Sequence, residues 1–133
     1  MESMKTAVNA YQTVQVDAAV LGASPHELIA KLLSKAIDSI NEAKEYMSNK
    51  DVPNKTAHIK VAISIISDGL RSSLNMDAGG EIAENLDALY EYMLQRLMTA
   101  HAKNDSAALD EVNTLLREIK SGWDSIRPQD DTV

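Results

Sequence analysis

The sequence predicts an all-α fold, an antiparallel up-and-down four-helix bundle with a short N-terminal arm. Three observations carry that prediction. Apolar residues recur at intervals of three and four over four stretches of about twenty residues each. Turn residues separate these stretches by loops so short that consecutive helices can pack only as antiparallel neighbours. The palette is rich in Leu, Ile, Val, Ala and Met, with four Tyr, one Trp and no Phe, as expected of helices packed through aliphatic side chains. We assign residues 1–23 to the arm, 24–127 to the bundle and 128–133 to a polar, disordered tail, with helices over 24–48, 55–75, 80–102 and 106–126.

The arm carries Val8, Tyr11, Val14 and Val16, too few residues and too β-branched for a bundle helix, so its apolar side chains need a surface to dock on. The first helix opens with SPHEL: Ser24 is the N-cap, Pro25 takes the first helical position and Glu27 completes a capping box. Its apolar stripe is Leu28, Leu32, Leu33, Ala36, Ile37, Ile40, Ala43 and Met47, ended by Asn49, Asp51 and Pro53. The second helix buries Ile59, Ala62, Ile63, Ile66, Leu70 and Leu74 before NMDAGG breaks it. The third, beginning near Gly80, buries Ile82, Leu86, Leu89, Met93, Leu97 and Ala100. The fourth is capped by Asp105 or Ser106 and buries Leu109, Val112, Leu116, Ile119, Trp123 and Ile126.

Composition narrows function by exclusion. With 44% hydrophobic residues in 133, one core can form without staples, and with no cysteine there is neither a disulfide nor a thiolate site. A net charge of −7 repels nucleic-acid phosphates and anionic lipid. No apolar run reaches the roughly 20 residues of a membrane span, and MESMKTAVNAYQ lacks the apolar core of a secretory signal, so a soluble cytoplasmic protein without membrane insertion is expected.

Catalytic and metal chemistry find little support. A di-iron bundle needs Glu-x-x-His pairs, but Ala23, Lys55 and Met98 stand three residues before His26, His58 and His101, and these are read as surface or capping histidines. No serine sits in a nucleophile elbow. Gly79-Gly80 reads as a turn, because Glu81 would repel an anion at that helix start. Glu81, Glu84, Asp87 and Glu91 fall opposite the apolar stripe and are expected to form a solvated face. Neither an enzyme nor a cofactor or metal site is predicted.

The informative residues are apolar ones off the core stripe. On the second helix Val61 and Ile65 point away from it across a back face of small side chains; on the third, Tyr90, Leu94 and Met98 form a second stripe, with Tyr92 and Asn85 on the other flank. Together with the arm around Tyr11 they suggest a helical module that binds a peptide in a groove, the alternative being a structural or adaptor bundle that self-associates through the same surface.

NAYQTVQV, ASPHELI, LNMDAGGEIAENLDALYEYMLQRL and the late Trp123 together resemble the FliS family of flagellin export chaperones, from about Asn9 to Trp123. The resemblance implies a cytoplasmic, non-enzymatic helical bundle that binds the disordered C-terminal segment of flagellin, prevents premature polymerisation and aids type III secretion. It also points to export-gate components and other flagellar regulators as partners of a monomer or weak dimer. It carries the family's Tyr-Gln pair onto Tyr11 and Gln12, in a segment that overlies the hydrophobic client surface. Added to the arm's Val14 and to the off-stripe residues Val61, Ile65, Asn85, Tyr90, Leu94 and Met98, this pair completes the set of candidate client contacts.

Overall fold

The structure, a computed structural model, describes residues 24–125. Four helices follow one another: α1 (Pro25–Ser48), α2 (Val52–Ser64, continued by a π-helix over Ile65–Arg71), α3 (Met76–Lys103) and α4 (Ser106–Asp124). Helix α1 packs on α2 and α4, and α3 closes the ring against both. The expected contacts of Tyr11, Gln12 and Val14, the tail and Ile126 lie outside the described residues.

Local chemistry starts and stops each helix. Ser24 Oγ accepts from Glu27 N at 3.1 Å while Ser24 N donates to Glu27 Oε1 at 3.1 Å, a reciprocal box that satisfies two amides at the start of α1. The backbone N–H of Ser24, and after it the Ser24 hydroxyl, hold the exposed Glu27 carboxyl below its ordinary value. Helix α2 starts three residues before the position the sequence suggested: Asp51 caps it through Asn54 N, and Pro53, expected to end α1, sits in the first turn of α2, where its missing N–H costs nothing. Helix α3 likewise begins at Met76 rather than Gly80. Asn75 Oδ1 accepts from Ala78 N at 2.9 Å, and Gly80, at φ 55° and ψ −134°, kinks the helix in a conformation open to glycine. Asn104, left-handed at φ 51°, closes α3.

The core departs from the predicted stripes in phase. In α1, Ile29 is buried, whereas Leu28 and Leu32 are half-buried at its edge. In α3 the buried residues Gly79, Ala83, Tyr90, Met93, Leu97 and Ala100 follow a stricter alternation of three and four, so Ile82, Leu86 and Leu89 flank the core. From α2 into the turn after it, the buried run Ile59, Ala62, Ile66, Leu70 and Leu74 ends in consecutive spacings of four. Straight α-helix would rotate those side chains off the core; the wider π-helical turn keeps them on it. Gly69 and the serines suit this segment. A Cβ on Gly69 would stand 3.4 Å from Leu32 Cδ1, and Ser73 Oγ donates to the Gly69 carbonyl at 2.5 Å.

The bundle ends are tied by groups that the sequence offered as surface. His26 is no surface group: its ring stacks on Trp123, centroids 5.0 Å apart and planes 14° from parallel. His26 Nε2 donates to the Trp123 carbonyl at 3.0 Å and Trp123 Nε1 donates to the His26 carbonyl at 3.0 Å. Because a carbonyl can only accept, the Nε2 of His26 carries the proton. Nearer the middle, Asn113 Nδ2 donates to Asn41 Oδ1 at 2.7 Å and Lys44 pairs with Asp110 at 2.6 Å, both joining α1 to α4.

Candidate functional site

Two polar latches fix the register of α2 against α3. At one end Lys55, 3% exposed, donates from Nζ to the His101 carbonyl at 3.2 Å and to Asn104 Oδ1 at 2.6 Å. At the other, Arg71 Nε donates to Asp87 Oδ1 at 2.7 Å, and its Nη1 pairs with Glu91. The carboxyl of Glu91 is held below its ordinary value, first by a hydrogen bond from Gln95 and then by Arg71. Asp87 and Glu91 are thus partly buried latch residues rather than part of a solvated face, whereas Glu81 and Glu84 are exposed. No isolated helix wheel shows this, because the cation that claims them lies on another helix.

Between the latches runs an apolar seam. In antiparallel helices fixed at these two points, Ile63 comes level with about residue 95 of α3. Leu94 and Met98 extend the Asp87–Glu91 line at helical spacing along the edge that borders α2. Ile63 and Leu94 are half-buried against the core, while Met98 is 63% exposed. Ile63, assigned to the core from sequence, therefore belongs to the seam's floor.

The structure does not gather the remaining predicted residues there. Tyr90 is wholly buried in the core, since the spacing Ala83, Tyr90, Leu97 is a heptad step that faces inward. Val61, 39% exposed, and half-buried Ile65 follow His58 along another edge of α2, the one that borders α1. There His58 Nε2 stands 3.2 Å from Glu42 Oε1 and its ring 5.1 Å from Tyr46. Asn85 is exposed on the line of Tyr92 and Arg96, which both bind Glu111 of α4. That bond raises the Tyr92 hydroxyl above its ordinary pKa, and Tyr92 followed by Arg96 lowers the Glu111 carboxyl. One groove in the sequence reading becomes three edges.

Among the described residues, no group of three His, Asp or Glu stands close enough to hold a metal, and no helix is long and apolar enough to cross a membrane.

The family model described as "Flagellar protein FliS" matches residues 7–130. The chain belongs to the FliS family. It is 46% identical over 126 residues to the flagellar secretion chaperone FliSB of Pseudomonas aeruginosa, covering 95% of this chain and 98% of that relative. It is 41% identical over 122 residues to the flagellar secretion chaperone FliS of Salmonella typhimurium, covering 92% of this chain and 90% of the relative. A Bacillus subtilis flagellar secretion chaperone FliS is 31% identical over 114 residues, 86% of this chain and 80% of that relative. FliS proteins are chaperones and not enzymes.

Proposed function

We propose that this protein is a cytoplasmic export chaperone that holds the disordered C-terminal segment of flagellin against its bundle, with the α2–α3 seam of Ile63, Leu94 and Met98 as the principal contact. The single observation that carries the seam is Met98, at 63% the most exposed of the large apolar side chains among the described residues, on the same edge as half-buried Leu94. Family membership supports the choice of client. A flagellin tail, apolar but unfolded alone, would fold as it exchanges water for this surface; the ordering cost keeps the complex releasable for secretion. Methionine suits such a surface because its flexible thioether adapts to the side chains that arrive. The negative surface adds solubility, and the apolar contact supplies the affinity.

The test is calorimetric titration of the whole chain with a flagellin C-terminal peptide. The expected result is saturable binding at micromolar concentration with a negative heat-capacity change, the marker of apolar burial. Absence of heat and of any other binding signal at those concentrations refutes the proposal.

A further inference from the structure

We propose that the cavity between the start of α2 and the end of α3 is a carboxylate subsite, which takes an acidic group of the bound peptide together with the apolar side chain next to it. This deepens the chaperone reading and rests on it.

The cavity, about 350 Å³, is lined by Met47, Lys50, Asp51, Val52, Lys55 and Asn104. Lys55 is the one charged side chain buried among the described residues, and it forms no ion pair there. Its two acceptors, the His101 carbonyl and the Asn104 amide oxygen, are neutral. An ammonium group has three donors, so one N–H is left without a protein partner among the described residues. The C-terminal carbonyls of α3 complement the ammonium but supply no full negative charge, so an anion that reaches the cavity would complete a buried ion pair.

Asp51 shares the cavity but is already engaged: its oxygens accept from Asn54 N at 3.2 Å and Asn54 Nδ2 at 2.8 Å. Exposed Lys50 makes no ion pair among the described residues, so two lysines face one aspartate, a local charge of +1 in a chain of −7. Half-buried Met47 and Val52, the latter 56% exposed, give the cavity an apolar wall, which fits a carboxylate carried on an apolar residue better than a bare phosphate. The position is apt as well. Lys55 and Asn104 end the seam on which the peptide is proposed to lie, and a C-terminal segment brings an α-carboxylate of its own.

The experiment follows backbone amide resonances of the full chain during titration with N-acetyl-leucine and, separately, N-acetyl-leucinamide. Saturable shifts at Val52, Lys55 and Asn104 with the acid and none with the amide are expected. The same titration in Val52→Glu should lose them: an acid in the first turn of α2 suits the helix dipole and preserves the fold, but places a like charge at the cavity mouth. Equal shifts from acid and amide, or unchanged shifts in Val52→Glu, overturn the proposal.

The flagellin peptide then identifies the source of the carboxylate, as free acid, as C-terminal amide, and with its acidic side chains replaced by their amides. One of the two modified forms should bind on the order of tenfold more weakly than the free acid, as for loss of a hydrogen bond to a charged group. Equal affinity of all three forms overturns the proposal. A peptide that binds in no form refutes the chaperone reading, while the acid and amide probes still decide the subsite.

Discussion

Removing His26 is the sharpest test of how the bundle is closed. Its ring is stacked 5.0 Å from that of Trp123, an arrangement worth about 1 kcal/mol. Its Nε2–H donates to the Trp123 carbonyl at 3.0 Å, worth about 1 kcal/mol more. Alanine keeps the helical backbone of α1 and the carbonyl that accepts from Trp123 Nε1, so His26→Ala should cost about 2 kcal/mol. For a domain of this size that is a fall in Tm of roughly 10 °C. Urea denaturation of wild type, His26→Ala, Trp123→Leu and the double variant gives the coupling directly, because Trp123→Leu removes the ring on which His26 stacks and keeps the carbonyl to which its Nε2 donates. A coupling energy of about 1 kcal/mol or more between the two positions is expected. His26→Ala within about 0.3 kcal/mol of wild type, or purely additive effects, would refute the clasp and return His26 to the surface role that its sequence context suggested.

The kink of α3 and the paired carboxylates set two further outcomes. Gly80→Ala meets no atom within 4 Å of the new Cβ, yet φ 55° and ψ −134° should make it destabilising by roughly 1–3 kcal/mol in chemical denaturation, so equal stability would show that the kink is not required. Glu91 and Glu111 have carboxyls held below 4.5 in the folded chain, so the stability they add is present above that value and lost as pH falls through their lowered pKa values. Denaturation midpoints should therefore drop as the pH is lowered below the ordinary carboxylate range, less steeply in Glu91→Gln and Glu111→Gln; identical slopes in wild type and variants would contradict this.

The helices were legible because their signals are local. SPHEL declares its cap in five residues, and the loop before α4 supplies the expected Asp105, whose Oδ1 accepts from Ala107 N and Ala108 N. Boundaries failed where two signals competed: Pro53 is read as a stop for one helix or the first turn of the next, and only Asp51's hydrogen bond to Asn54 decides. Tyr90 was legible in principle, since Ala83, Tyr90 and Leu97 keep the heptad step, but the larger Ile82 and Leu89 drew the stripe one position aside. The latches were not legible. Lys55 is buried because α3 ends beside it, and Arg71 is bound because Asp87 and Glu91 arrive from a helix sixteen or more residues away in sequence.

The central claim, that the α2–α3 seam holds the client, is tested most directly by the affinity of Met98→Asp for the flagellin C-terminal peptide, measured by calorimetry beside Val61→Asp. Met98 is 63% exposed and Val61 39%, so both variants should keep helical circular dichroism and melting close to wild type. Met98→Asp should weaken binding at least about tenfold, while Val61→Asp, on the α1 edge, should change it far less. Unchanged affinity in Met98→Asp, with the loss falling on Val61→Asp instead, would place the client on the other edge and contradict the account.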